Sequence, residues 1–309
     1  MQAVLQVVLP VFAIVALGFG CARRGFVDGP GFQALNRVVF NFCAPSLLFL
    51  GGTGGQAGSG RAALAFFLGA ALLYGAVLAL GRGVFRMRLG EAGMLALDAA
   101  FGNTVMMGIP LILAAFGPEA FPVLLAILAL HSMLLLGTAT VVAEIGLHAR
   151  APWRRVLRAT VLGVARNPVV MAVAAALAWR LAGLGPPPGV LRHTLELLGA
   201  AAPPMALFCL GGSLAGFDAR SAWRETVLAV SLKLLALPLL VWAMAALFAL
   251  PPLETAVAVV TAALPTGANA FLLAQRYRIG AARSGATVLV STVLSVATLA
   301  ALLSWFGVR

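Results

Sequence analysis

A chain of 309 residues with 62% hydrophobic side chains, 10% charged ones and a mean hydropathy of +1.05 is not a soluble globular domain, because such domains are about one quarter charged. The formal net charge of +12 comes from twenty Arg and one Lys against nine acids. In a soluble chain this would suggest nucleic acid, but here the basic residues punctuate apolar runs, so they set an orientation in a membrane and no nucleic-acid partner is expected.

Long unbroken apolar runs argue for helices over the alternating strands of a barrel. At about 20 residues per crossing there is room for roughly ten spans. In chain order they are predicted at 3–22, 31–51, 62–81, 92–116, 119–144, 168–184, 190–215, 226–249, 253–275 and 284–306. The first is followed by Arg23 and Arg24 and preceded by no basic residue. That is the reverse of a cleavable signal peptide, so it reads as a retained span. The glycine-rich run 51–60 reads as a flexible outer loop. Cys21, Cys43 and Cys209 lack the paired spacing of disulfide or zinc sites and read as packing residues.

Loops after odd-numbered spans carry Arg23 and Arg24; Arg82, Arg86 and Arg88; Arg150, Arg154, Arg155, Arg158 and Arg166; Arg220 and Arg224; and Arg276, Arg278 and Arg283. The opposite side has Arg61, Arg180, Arg192 and Arg309. By the positive-inside rule both termini lie outside, in a multi-pass protein of the cytoplasmic (inner) membrane. Arg37 and Lys233 sit inside spans near their basic ends and are expected to snorkel toward the cytoplasm, as Arg192 does outward. The basic stretch 151–166, with Trp153, Val156, Leu157 and Val161 interspersed, is either a helix lying on the inner membrane surface or a solvated linker.

The two halves echo each other. Phe42-Cys43-Ala44-Pro45-Ser46-Leu47-Leu48-Phe49 in span 2 matches Ala201-Ala202-Pro203-Pro204-Met205-Ala206-Leu207-Phe208 in span 7. Spans 4 and 9 place Pro, Gly, Asn and Thr together, in Gly102-Asn103-Thr104-Val105-Met106-Met107-Gly108-Ile109-Pro110 and in Leu264-Pro265-Thr266-Gly267-Ala268-Asn269-Ala270. Five spans per half invert the second copy. The expected architecture is therefore an all-α polytopic membrane protein of ten transmembrane helices in two inverted five-helix repeats, 1–150 and 168–309, joined by a basic cytoplasmic linker, 151–167.

A proline inside a helix frees a carbonyl, and backbone groups exposed to hydrocarbon are costly, so matched breaks survive where they line protein or a water-filled cavity. If broken helices 4 and 9 cross at mid-membrane, the N-termini of the outgoing half-helices converge and offer unsatisfied donors, a suitable place for a carboxylate. Asn103, Thr104, Pro110, Pro265, Thr266, Gly267 and Asn269 are the candidate substrate-binding residues. Ordinary proline kinks with Asn and Thr joining helices are the competing explanation.

At these residues the chain resembles the auxin efflux carrier family, including its bacterial branch. The likeness is specific in AFGNTVMMGIPLILAAFG and LPTGANAFLLAQRY, looser in CLGGSLA and KLLALPLL, and extends over the whole chain. It implies an elevator-type carrier of organic anions. Spans 1, 2, 6 and 7 would form a scaffold that often dimerises, and spans 3 to 5 and 8 to 10 a moving transport domain. Plant members carry auxin, and bacterial relatives are associated with malonate and malate. Ala270 stands where plant carriers have a proline, and the long central loop of many plant members is missing; both differences favour the bacterial branch.

Asp98 lies inside span 4, five residues before Asn103. A short carboxylate there must be protonated, paired with Arg or Lys, or facing water, which makes it a candidate for proton or cation coupling. His131 is a packing residue or part of a proton relay, and His193 with Glu196 forms a local pair near the outer surface. The leading expectation is secondary active transport of small organic anions, with membrane lipid and a homodimer partner through helices 2 and 7, and no cofactor or metal. The alternative is a sodium-coupled symporter of related crossover fold, such as a bile-acid/sodium symporter-like protein. An intramembrane enzyme is disfavoured, because no Gly-x-Ser-Gly lies within a span and no paired acids or metal-ligand cluster occur.

Overall fold

The structure is a computed structural model that describes residues 2–54, 60–147, 168–218 and 222–308. The linker 151–167 lies outside the described residues. The described elements are helical. They are α1 (Gln2–Arg23), α2 (Gly29–Val38), α3 (Ala44–Gly54), α4 (Gly60–Gly83), α5 (Leu89–Ala100), α6 (Ile109–Phe116), α7 (Phe121–Leu147), α8 (Pro168–Leu181), α9 (Gly189–Leu214), α10 (Trp223–Ser231), α11 (Leu237–Leu247), α12 (Pro252–Ala263), α13 (Ala268–Tyr277) and α14 (Ala281–Trp305).

Among the described residues, six stretches are long and apolar enough to cross a membrane: Gly29–Thr53, Gly60–Gly83, Pro118–Gly146, Gly189–Leu214, Trp223–Leu247 and Ala281–Trp305. Val8–Arg23, Thr104–Phe116, Pro168–Leu181 and Pro252–Ala263 are shorter apolar helices. The protein is thus a polytopic, all-helical membrane protein. The glycine-rich run departs from expectation at its start: Gly51–Gly54 continue α3 as helix. A Cβ at Gly51 would overlap the Phe121 ring, so this glycine admits a close helix contact where a loop was expected.

Prolines shape the helices in a recurring way. The wide π-turns Val39–Cys43, Thr104–Gly108 and Leu232–Ala236 each end two residues before a proline, at Pro45, Pro110 and Pro238. A proline supplies no N–H and its ring presses on the carbonyl four residues back; widening the preceding turn lets neighbouring N–H groups bond across the gap without ending the helix. These turns also shift the side chains they carry, among them Thr104 and Lys233.

Packing divides into two neighbourhoods. In one, α9 packs against α1, α2 and α3, and α3 against α8. The α1–α9 contact is backbone to backbone: a Cβ on Gly18 would overlap the Phe208 carbonyl and one on Gly211 the Val15 carbonyl. Small residues allow this approach where lipid tails, as apolar as any side chain, supply little other drive for association. In the second, α4 packs against α5 and α11, α5 against α7, α12 against α11, and α14 against α10 and α13. The two interrupted helices, α5–α6 and α12–α13, meet inside the second neighbourhood and face the first.

Candidate functional site

Both interruptions fall where the sequence places them. α5 ends at Ala100 and the wide turn begins at Thr104, while α12 ends at Ala263 and α13 begins at Ala268. Between them the chains run extended and pair as a minimal antiparallel bridge, Gly102 with Thr266. The Asn103 N–H donates to the Pro265 carbonyl (2.8 Å) and the Gly267 N–H to the Phe101 carbonyl (3.1 Å). Each break therefore satisfies backbone groups of the other, which is what buried irregular backbone in a membrane protein requires. Gly267 is needed for the approach, because a Cβ there would sit 2.7 Å from the Phe101 ring and 2.9 Å from the Gly102 carbonyl.

Four half-helix ends meet at this crossing. The carbonyl ends of α5 and α12 lie on a tightly filled side. Lys233, 0% exposed, sits on the wide turn before Pro238 and donates to the Ala262 carbonyl at 2.5 Å. Its ammonium also lies 3.6 Å from where a Gly102 side chain would begin. A cation at helix C-termini is electrostatically favoured. The expectation that Lys233 snorkels to the cytoplasm is corrected: the π-turn aims it inward, where carbonyls replace the water it would otherwise seek.

His131 from α7 packs its ring on Phe101, with centroids 4.5 Å apart. Its Nε2 accepts the Gly102 N–H (3.3 Å) and its Nδ1 lies 3.4 Å from the Thr104 hydroxyl. Thr266 braces the crossing from the same side: its hydroxyl donates to the Asp98 carbonyl (2.8 Å) and its N–H to the Ser291 hydroxyl (3.0 Å).

Asp98 is 0% exposed and paired, one of the arrangements expected for it. Arg283 Nε reaches Asp98 Oδ2 at 3.1 Å, and Arg283 Nη1 reaches Glu225 Oε2 at 3.1 Å. Arg283, counted with the loops in the sequence, is buried on α14. The chain of charges runs from the crossing to Glu225, whose side chain is 41% exposed.

The N-terminal ends of the outgoing half-helices face open space. A cavity of about 330 Å³ is lined there by Asn103, Thr104, Val105, Met106, Gly267, Ala268 and Asn269, with Gln33 and Asn36 from α2, Ser132 from α7 and Ser213 from α9 opposite. The first N–H groups of a helix have no carbonyl one turn back to bond, so this wall presents donors. Asn103 is 5% exposed, and its amide Nδ2 has no partner, as is also true of Asn36 Oδ1. A buried amide donor left unbonded costs free energy.

A second cavity, of about 400 Å³, shares Gln33, Asn36 and Ser213 with the first and continues toward Asp28. Asp28 caps α2 by accepting the Gly31 N–H at 2.7 Å.

Of the candidate substrate-binding residues, Asn103, Thr104, Gly267 and Asn269 line the cavity. Pro110, Pro265 and Thr266 do not: Pro110 follows the wide turn, Pro265 supplies a carbonyl to the bridge, and Thr266 faces Asp98. Sequence reasoning missed Gln33, Asn36, Ser132, Ser213 and Glu225. It also undervalued Lys233, the chain's single lysine among twenty arginines, standing five residues before a proline. That pairing was the available signal. No group of three or more His, Cys, Asp or Glu able to hold a metal occurs among the described residues.

A protein of Rhizobium meliloti (strain 1021) named "Putative malonate transporter" is 30% identical over 314 residues, covering 98% of this chain and 96% of its own length. The family described as "Membrane transport protein" matches residues 3–303. The chain belongs to that family, the one that includes the auxin efflux carriers its crossing motifs resemble.

Proposed function

We propose that this protein is a secondary active transporter of small organic anions, carboxylates such as malonate or malate or auxin-like acids, working by an elevator-type alternating-access mechanism. The observation that carries the reading is the cavity at the crossing, where two sets of helix N-terminal donors converge beside Asn103 and Asn269. That donor set holds a carboxylate without a permanently buried cation. The name of the Rhizobium relative supports an organic acid as cargo.

In this reading the ten apolar segments are ten spans in two inverted five-helix repeats. Spans 1, 2, 6 and 7 form the scaffold and dimerise through helices 2 and 7; spans 3 to 5 and 8 to 10 move with the crossing. The packing of α1, α2, α3, α8 and α9 chiefly on one another supports this division. Both termini lie outside, and the vestibule that leads to Asp28 opens on the arginine-rich, cytoplasmic side. Asp98 takes part in coupling through the making and breaking of its pair with Arg283 as the transport unit moves.

A sodium-coupled symporter is less well supported. Freed carbonyls at broken helices are where such carriers bind the ion, and here the Lys233 ammonium already stands against Ala262 on that side.

The test is uptake into proteoliposomes of malonate, malate and indole-3-acetate, with and without pH or sodium gradients. Saturable uptake of at least one acid, lost in Asn103→Ala and Asn269→Ala variants that insert and fold, is the expected result. Undiminished uptake in both variants removes the site.

A further inference from the structure

Any apolar surface of a membrane protein is wetted by lipid, so a specific lipid site needs a shape and a charge of its own. One groove away from the crossing has both. A cavity of about 270 Å³ lies between α3, α7 and α8. Its floor is closed, because a Cβ on Gly52 would come within 2.6 Å of the Ala176 Cβ and one on Gly51 would overlap the Phe121 ring. Its α7 wall is cut back by the small side chains of Ala126 and Ala129. The lining is apolar except at one end, where Arg180 stands.

The trough follows the helices. Val173, Leu177 and Arg180 mark one face of α8 over two turns, and Pro122 to Ala129 cover the same length of α7, so the trough is about 10 Å long. That suits the upper part of an acyl chain. The charged end lies at the membrane boundary. Gly51 lies against Phe121, at the start of α7, and Gly52 against Ala176, one turn before Arg180. The start of the membrane-crossing stretch Pro118–Gly146 and the last turn of α8 are therefore level. Trp179 beside Arg180 packs edge-on against Phe49 and donates from Nε1 to the Gly185 carbonyl at 2.8 Å, apolar on one side and polar on the other as interfacial tryptophans are.

Arg180 is also uncommitted. Of the arginines expected on this side, Arg192 pairs with Glu196 and Arg61 donates to the Phe248 carbonyl. The half-buried Arg180 guanidinium makes no hydrogen bond or ion pair among the described residues. Its stem covers apolar wall while its planar fork of donors matches a phosphate. A second copy of the chain seated here about a two-fold axis would bring its own Arg180 toward this one, whereas an anion joined to a hydrocarbon chain satisfies both ends of the trough.

We propose that the trough binds an acyl chain of an anionic phospholipid, with the lipid phosphate held by Arg180. The lipid then bridges the two packing neighbourhoods, since α3 and α8 belong to one and α7 to the other, and it stabilises the assembled protein. The site is independent of what the crossing carries.

Full-length protein in a neutral detergent tests this, with native mass spectrometry counting retained phosphatidylglycerol or phosphatidylcholine and the melting temperature read in parallel. Arg180→Gln is expected to weaken phosphatidylglycerol binding about fivefold, toward that of phosphatidylcholine. Ala129→Phe, which fills the trough, weakens both lipids, and glycerophosphate, the head without the chains, leaves the melting temperature unchanged. Wild-type protein that holds the two lipids equally well overturns the proposal. So does an equal loss from Arg24→Gln, an exposed arginine outside the trough, because lipid would then follow net charge. Stabilisation by glycerophosphate as large as by the lipid makes this a free-phosphate site, and an Ala129→Phe variant that loses a dimer while keeping its lipid makes it a contact between copies; either result overturns it. If Ala129→Phe does not fold, Arg180→Gln decides, and undiminished phosphatidylglycerol binding in that variant removes the site.

Discussion

The two sides of the crossing are built from the same parts and finished in opposite ways. On one, Lys233 donates to the Ala262 carbonyl at the end of α12 and Thr266 to the Asp98 carbonyl near the end of α5, with His131 on the Gly102 N–H and the buried Asp98–Arg283 pair nearby. On the other, the N-terminal ends of the outgoing helices face a cavity lined by Asn103, Asn269 and Asn36. A helix break in a membrane creates donors and acceptors in equal measure. Here side chains donate to the carbonyls of Asp98 and Ala262, whereas the N-terminal donors of the outgoing half-helices face the cavity. Substitutions on the sealed side should therefore cost stability, and those on the open side should cost transport.

The largest expected loss is at the ion pair. Arg283→Met leaves Asp98 buried without a partner and lowers stability by about 3–5 kcal/mol, read as a drop in melting temperature in detergent. Adding Asp98→Asn to that variant should recover part of the loss. If the double variant melts no higher than the single, the pair is not what holds this region.

Lys233→Met comes next. It removes a charged hydrogen bond and leaves the Ala262 carbonyl unsatisfied, for about 2–3 kcal/mol, with uptake lost as the crossing loosens. An unchanged melting curve would show that the ammonium does not seal the carbonyl side. His131→Leu strands the Gly102 N–H and costs about 1–2 kcal/mol, again as a lower melting temperature, and retention of full stability would show that another group takes that donor.

Asn103→Ala should have the smallest effect on stability, within about 0.5 kcal/mol, since its Nδ2 bonds nothing in the folded protein. Uptake should nevertheless fall by at least about tenfold. A variant that melts early while transporting normally would reverse the contrast between the two sides.

What the sequence conveys about this molecule follows from how local each signal is. The Asn-Thr and Pro-Thr-Gly elements mark the breaks because the residues that interrupt a helix are the residues at the interruption. The spans are legible because a run of apolar side chains is itself the condition for crossing lipid. Lys233 was misread because a lysine near a span's end ordinarily reaches water, and only the wide turn ahead of Pro238 redirects it. Arg283 looked like loop charge because it lies three residues into α14, and its partners, Asp98 and Glu225, are far away in the chain. Gln33, Asn36, Ser132 and Ser213 carry no local mark at all, because the cavity wall they form exists only once α2, α7 and α9 are packed against the crossing.

The antiparallel bridge fastens the cradle through main-chain atoms, Asn103 to Pro265 and Gly267 to Phe101. On the proposed carrier reading, substitutions at Gln33, Asn36 and Ser213 of the facing wall alter which cargo fits while this main-chain tie between the two breaks stays in place.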